Sequence, residues 1–212
     1  DIYIKSEKLV VIHQSTKREN VNISKKKNII TFVGKLNKAK GYDVFGSAVI
    51  KILNKYKNWK AVVIGDEERE KINFEHKNLK ILGFQNHKTV INIFKNASIS
   101  VVCSRWEEPF GRTSLESASC GCAVIITNRG GLPETITNGI IIDVLSVDSV
   151  FTSIEKLIKK KILRKNLQQN SLKNFFLTNQ NASSLIDTYR DEILENKKSI
   201  QDLKKLKILH IT

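Results

Sequence analysis

The sequence lacks any run of about 18 apolar residues, which is the length that a membrane-spanning helix requires. It also lacks the apolar core of a secretory signal, and it begins with Asp1 rather than methionine, so we expect its N-terminus to be a cut end. Hydrophobic residues make up 41% of the 212 residues and charged residues 27%, which is ordinary for a soluble globular protein. A chain of this length can bury a core without disulfides, as one domain or one domain with an appendage.

Cysteine is scarce, and its spacing does not match the common metal sites. Cys103, Cys120 and Cys122 are odd in number and lie in apolar surroundings, and the four histidines are scattered. This pattern fits none of the usual zinc spacings. We therefore expect three buried, reduced thiols in a reducing cytoplasm.

Acidic residues are too few to balance the basic ones. The chain has 36 Lys and Arg against 21 Asp and Glu, a net charge of +15, which invites a nucleic-acid interpretation. Aromatic residues make up only 7%, however, and none interleaves with a basic run to form a stacking platform. We expect no nucleic-acid partner. Attraction to nucleotides or anionic phospholipid headgroups stays compatible with the charge.

The sequence does contain short apolar runs that alternate with amphipathic stretches. Apolar spacing predicts helices over 42–57, 87–97 and 112–121, and further helices after Val147 with breaks near Asn170 and Thr178. The apolar runs predict strands over 8–14, 28–34, 60–65, 79–83, 98–104, 123–127 and 139–143.

This alternation predicts an α/β fold, a Rossmann-like doubly wound parallel sheet with helices on both faces. In such sheets, ligands bind outside the carboxyl ends of the strands. The unusual residues fall at those ends, namely Gly34, Gly65, Gly83 and the loops 103–111 and 128–134. The candidate site therefore lies at this edge of the sheet.

The stretch VGKLNKAKGYD at 33–43 places Lys35 and Lys40 between two glycines at a strand end. A glycine turn lets backbone approach a ligand closely, and two ammonium groups can hold phosphate. The stretch matches neither the Walker A loop nor the Gly-x-Gly-x-x-Gly motif. Taken alone, it is better explained as two solvated lysines in a lysine-rich chain.

The stretch EEPFGRTSLE at 107–116 places Glu108 and Glu116 on either side of a predicted helix start. With the helix beginning at Arg112 or Thr113, its free amides and positive dipole end favour an anion. Glu116, one turn into the helix, can accept hydrogen bonds from two adjacent ribose hydroxyls. The alternative is that Glu116 only complements the helix dipole and that Glu108 is solvated.

The stretch NRGGLPE at 128–134 predicts a second open helix N-terminus at the same edge, with Pro133 as its first helical residue. As an isolated feature, this is a common strand-to-helix turn.

Taken in order, these motifs resemble the C-terminal, donor-binding half of the group 1 family of retaining glycosyltransferases, which have the GT-B fold. The resemblance covers about residues 8–195, and it includes the spacing E-x7-E between Glu108 and Glu116. The matching residues are Gly34, Lys35, Leu36, Lys40, Gly41, Gly65, Asp66, Ile81, Leu82, Gly83, Phe84, Glu108, Phe110, Gly111, Glu116, Ser119, Cys120, Gly121, Val124, Gly130, Gly131, Pro133 and Glu134.

The resemblance implies hexosyl transfer from a nucleotide-sugar donor with retention at the anomeric carbon. It assigns the ribose to Glu116, the transferred sugar to Glu108 and Phe110, the base to main chain near Phe84, and the catalytic position to Glu108. It assigns the donor diphosphate to Lys35, Lys40, Gly111, Arg112 and Thr113.

The resemblance also implies that no metal and no cofactor take part, because the donor is a substrate and the sequence has no Asp-x-Asp motif. Four departures from the family pattern are visible. At the strand end, CSRW at 103–106 replaces a frequent Pro-Ser. Lys35 replaces a commoner arginine, Arg112 stands where many relatives have an apolar residue, and HQS at 13–15 replaces an Asn-Gly turn. The last puts the interdomain hinge in question rather than the donor site.

Family architecture implies three parts in this chain. We expect 1–28 to arrive from a missing N-terminal domain that binds a sugar or lipid-linked sugar acceptor, 29–180 to bind the nucleotide-sugar, and 181–212 to form a C-terminal helix and tail. The tail sequence LKILHIT at 206–212 resembles the first strand of such an N-terminal domain. Without its partner domain, the segment is expected to have low activity.

The resemblance also implies a cellular role. It indicates surface polysaccharide or glycolipid biosynthesis in the cytoplasm, with peripheral association at the inner face of the cytoplasmic membrane. Two other classes of protein stay open, half of a nonhydrolysing nucleotide-sugar epimerase and a catalytically silent interaction module.

Overall fold

Six parallel strands form one sheet in the computed structural model, which describes residues 9–196. Their order across the sheet is β3-β2-β1-β4-β5-β6, so the chain reverses its direction of growth between β1 and β4. Ligands of doubly wound sheets bind in the crevice at such a switch point. The strands are β1 Lys27–Val33, β2 Lys60–Ile64, β3 Leu79–Ile81, β4 Ala97–Val102, β5 Ala123–Thr127 and β6 Gly139–Ile142.

Six α-helices accompany the sheet in the part of the chain that is described. They are α1 Tyr42–Lys55, α2 His87–Asn96, α3 Arg112–Ser119, α4 Val147–Lys159, α5 Lys161–Lys173 and α6 Asn179–Asn196. Two short 3-10 turns cover Ile23–Lys25 and Leu132–Thr135. Between residues 9 and 196, no helix combines the length and the apolar character needed to cross a membrane.

Each face of the sheet is covered by its own apolar core. Phe32 points to the face where α1 and α4 pack, and Val33 to the face where α2 and α3 pack. This alternation follows from the period of two in a strand. The large buried side chains Phe45 and Phe94 anchor the two cores, one on each face. The predicted Rossmann-like sheet with helices on both faces is confirmed.

Helix α1 shows how the sequence pattern specifies packing. Its apolar positions recur at helical spacing, and Phe45, Ala48, Val49 and Ile52 are completely buried. Burying a large apolar side chain stabilises a fold by about 1.5–3 kcal/mol. The predicted helix over 42–57 is therefore confirmed, and it ends at Lys55.

The predicted strand over 8–14 is wrong for the residues that the structure describes. Residues 9–15 have no regular secondary structure, and Leu9, Val10 and Val11 are half exposed or more. Thr16 makes only an isolated bridge to Thr178, outside the sheet. An apolar run forms a strand only where a neighbouring strand pairs with it and its side chains find a core. The predicted tail strand at 206–212 lies outside the described residues.

Two further expectations need correction. The predicted short helix after NRGGLPE is a 3-10 turn of four residues that begins at Leu132, one residue before Pro133. The last helices break at Lys160, which was not predicted, as well as after Lys173. The buried Arg164 explains the first break, because its guanidinium donates to the carbonyls of Leu157 and Ile158 at the end of α4.

Candidate functional site

The loops after β1, β2 and β4 meet closely at the carboxyl edge of the sheet. A Cβ on Gly65 would overlap the carbonyl oxygen of Gly34, and a Cβ on Gly41 would overlap that of Cys103. Gly41 also has a φ of 73°, which side chains rarely adopt. These glycines therefore bring the backbones of three loops together around the predicted site.

The side chain of Asn37 holds the lysine-bearing loop after β1 in place. Asn37 Oδ1 accepts from the backbone N–H of Lys40 at 3.0 Å, and Asn37 Nδ2 donates to Glu67 Oε2 at 2.9 Å. This second hydrogen bond lowers the pKa of Glu67. Lys35 is exposed at the start of the loop. The loop thus presents one exposed lysine and one lysine in a fixed turn.

Lys40 and Glu108 form an ion pair across the site. Lys40 Nζ lies 2.5 Å from Glu108 Oε1, and the two side chains are 33% and 12% exposed. The two residues are 68 positions apart, and the junction of β1 and β4 brings them together. The structure therefore pairs Lys40, which is predicted to bind the diphosphate, with Glu108, which is predicted to bind the transferred sugar.

The turn that precedes α3 is held by the 128–131 loop. Glu107 accepts from the backbone N–H of Gly130, and the carbonyl of Glu108 accepts from the N–H of Gly131 at 2.7 Å. Arg129 also pairs with Glu107 at 3.2 Å. The amides of Leu132 and Glu134 also donate to backbone carbonyls and Pro133 has no N–H, so the predicted second open helix N-terminus is not formed. The 128–131 loop instead supports Glu108.

Helix α3 begins at Arg112, as predicted, with Gly111 as its N-cap at a φ of 111°. A Cβ on Gly111 would lie 2.5 Å from Leu132 Cδ2. Gly111 has no side chain to cap the helix, so the first amides of α3 carry the partial positive charge that attracts anions. Residues Arg112 and Thr113 supply those amides at the carboxyl edge of β4.

Glu116 lies one turn into α3, and its side chain is only 9% exposed. Its Oε1 accepts from Arg112 Nη2 at 2.9 Å and lies 3.3 Å from His87 Nε2. His87 is the first residue of α2 and was missed by sequence reasoning. The sequence signal for His87 is its position, because it lies in the first turn of the helix that follows β3, at the carboxyl edge of the sheet. Between residues 9 and 196, the ion pairs of Glu108 and Glu116 share no member.

Phe84 and Phe110, the two aromatic residues predicted to contact the donor, differ in exposure. Phe84 is 77% exposed beyond the end of β3. Phe110 is 7% exposed, and its ring stacks on His13 at a centroid distance of 5.3 Å. His13 in turn lies 3.4 Å from Glu134. The ring of Phe110 is therefore buried against His13.

The predicted burial of the cysteines is confirmed. All three are free and buried, and burial raises the pKa of Cys103 and Cys120 to about 12. Among residues 9–196, no group of three or more His, Cys, Asp or Glu is arranged to hold a metal ion.

The family model for glycosyl transferases group 1 matches residues 13–174. The chain belongs to this family. An uncharacterised glycosyltransferase of Methanocaldococcus jannaschii is 28% identical over 170 residues, which are 75% of this chain and 43% of that protein. The chain spans about half or less of the length of such curated relatives.

Solved structures share the fold of this domain. The C-terminal domain of a group 1 family protein from Francisella tularensis is 30% identical, with a TM-score of 0.61 over 68% of this chain and 82% of that one. Anabaena Alr3699/HepE, solved in complex with UDP-glucose, is 18% identical with a TM-score of 0.63, over 82% of this chain and 49% of that one. The predicted half of a GT-B fold is thereby confirmed.

Proposed function

We propose that this group 1 glycosyltransferase domain binds the nucleotide-sugar donor of a retaining, metal-independent hexosyl transfer. Family membership supports glycosyl transfer, and the similar fold of the Anabaena protein, solved with UDP-glucose, supports a donor of this class. One observation carries the proposal. The uncapped start of α3 lies between two carboxylates, Glu108 and Glu116, and each of them is already paired with a cation.

The donor diphosphate binds at Lys35, Lys40 and the first amides of α3 in this proposal. An anion at a helix N-terminus gains about 0.3–1 kcal/mol, and up to about 2 kcal/mol when partly buried. Departure of the nucleoside diphosphate builds negative charge on its β-phosphate. Fixed donors that face this charge stabilise it more in the transition state than in the ground state, which is what accelerates the reaction.

The two acids take the neutral, hydroxyl-bearing parts of the donor. Glu116 accepts hydrogen bonds from the ribose hydroxyls, while Glu108 positions the transferred sugar as the catalytic-site acid. Phe110 contributes its main chain to the sugar site, because its ring is covered by His13. The base lies against main chain near Phe84, where the edge of the sheet is open to solvent.

The acceptor belongs to the part of the protein beyond this domain. Because the chain spans about half or less of its curated relatives, we assign a sugar or lipid-linked acceptor to that remaining part. Residues 1–212 alone are then expected to transfer little sugar. The net charge of +15 supports peripheral binding to anionic headgroups at the cytoplasmic membrane face, where surface polysaccharide or glycolipid is assembled.

Titration calorimetry with UDP, GDP and ADP tests the proposal. We expect one of the three to bind, and we expect Glu116→Gln to lose about 1–3 kcal/mol of that affinity, or about 5-fold to 150-fold. The matched control is Glu192→Gln, an exposed acid on α6, which should bind as the unchanged chain does. Absence of heat with all three nucleotides would indicate a silent module. Release of an isomerised sugar from the donor would indicate an epimerase.

A further inference from the structure

Two helices begin with a residue whose side-chain nitrogen lies within hydrogen-bonding distance of the same carboxylate. His87 is the first residue of α2, and Arg112 is the first residue of α3. His87 Nε2 and Arg112 Nη2 lie 3.3 Å and 2.9 Å from Oε1 of Glu116. Both contacts converge on this one oxygen, and neither engages Oε2.

The guanidinium of Arg112 faces the positive end of the dipole of α3, which is unfavourable without a nearby anion. Glu116 supplies that anion. Its side chain is 9% exposed, so its carboxylate depends on these donors to replace the water that it has lost. The pairing with His87 links α3 to α2, because Glu116 belongs to α3 and His87, 29 positions away, belongs to α2.

Arg112 and His87 differ in the groups that they bind when a donor is present. Under the proposed function, Arg112 heads the helix whose first amides receive the diphosphate, so its guanidinium is shared between phosphate and Glu116. A guanidinium has five N–H donors and can serve both. His87 is on a different helix and has one ring nitrogen directed at Glu116. It is therefore the donor that stays committed to Glu116.

We infer that His87 is a positioning residue for nucleotide recognition. Its Nε2–H holds Oε1 of Glu116 and thereby fixes the carboxylate, so that Oε2 accepts from the ribose hydroxyls. This inference rests on the proposed function, which supplies the ribose. It requires the proton to be on Nε2, in the neutral tautomer or in the imidazolium.

The test measures how strongly the chain discriminates a ribonucleotide from its 2′-deoxy form. The probes are the nucleoside diphosphate that binds best among UDP, GDP and ADP, and the matching 2′-deoxynucleoside diphosphate. Calorimetry gives both affinities for the unchanged chain and for His87→Leu, His87→Gln and Lys88→Leu. Lys88→Leu is the matched control, because it removes an exposed cation from the next position of the same helix.

We expect the unchanged chain to prefer the ribonucleotide by about tenfold or more, since one charge-assisted hydrogen bond distinguishes the two probes. In His87→Leu this preference should fall about fivefold, which corresponds to the loss of one side-chain hydrogen bond. Affinity for the 2′-deoxy probe should stay within about twofold in every variant, because the lost contact acts through the ribose hydroxyl. His87→Gln keeps an N–H donor at similar reach and should retain the preference, as should Lys88→Leu.

A preference that survives in His87→Leu would overturn the inference and leave the proposed function standing. Equal losses for both probes would also overturn it, because they would indicate a general effect on the site. Failure of the unchanged chain to bind any of the nucleotides would overturn the proposed function itself. Thermal melting of each variant shows whether it is folded, and His87 is exposed enough for the substitutions to be tolerated.

Discussion

Replacing Gly41 with alanine should destabilise the domain through one identifiable contact. Gly41 is the N-cap of α1 and has a φ of 73°. A Cβ at this position would overlap the carbonyl oxygen of Cys103 and lie 3.1 Å from its Sγ. The substitution therefore pushes the loop that carries Lys40 away from the end of β4.

Two terms contribute to the expected loss of stability. A left-handed backbone costs a non-glycine residue about 1–2 kcal/mol, and restriction of the unfolded chain returns about 0.4–1 kcal/mol. The overlap with Cys103 adds about 1–3 kcal/mol, as overpacking does in other closely packed interiors. We therefore expect Gly41→Ala to lose about 1–5 kcal/mol, which lowers the melting temperature by about 2–20 °C in a chain of this size.

Gly83 offers a matched control for the backbone term. Its φ is 64°, close to that of Gly41, but nothing lies within 4 Å of a Cβ built on it. Gly83→Ala should therefore lose only about 1 kcal/mol. Equilibrium urea unfolding, followed by circular dichroism, measures both free energies of unfolding. If the two variants lose the same free energy, the contact with Cys103 contributes nothing and the reasoning is refuted.

Two further experiments check the environment of Glu155 and the burial of two cysteines. Hydrogen bonds from Lys55 and Tyr56 lower the pKa of Glu155 from near 4.5 to about 2. The stabilisation is present above about pH 4.5 and is lost as the pH falls towards 2, so urea unfolding of Glu155→Gln should depend less on pH across that window than unfolding of the unchanged chain. Burial raises the pKa of Cys103 and Cys120 to about 12, so an alkylating reagent at neutral pH should label neither in the folded chain and both in urea. Labelling of either cysteine before unfolding would contradict its burial.

The centre of the sheet could be predicted from the sequence because β4 and β5 are almost completely buried. All five residues of β5 are buried, and a continuous apolar run of this kind is typical of a parallel strand between two layers of helices. The position of the site was predictable for a related reason. Gly41, Gly65 and Gly111 mark places where backbones approach closely or turn, and those places lie at the carboxyl edge.

Contacts between distant residues could not be predicted in this way. The run at 9–12 has the composition of a strand, but composition does not show whether a sheet edge is available to it. The break at Lys160 has no glycine or proline, and it depends on Arg164, which caps α4 and lies over the ring of Trp59 at 5.0 Å. The partnership of Glu116 with His87 likewise depends on how α2 packs against α3.

Carboxylates beside a diphosphate site would repel the ligand if they were free. In this domain, each acid already has a cationic partner within the chain, Lys40 for Glu108 and Arg112 for Glu116. An ammonium group has three donors, so Lys40 can keep its bond to Glu108 and still donate to a phosphate oxygen. In the proposed complex, the donor therefore adds its charge to cations that the acids already hold in place. Preorganised cations avoid the cost of ordering long side chains during binding, which is the physical advantage of placing the acids there.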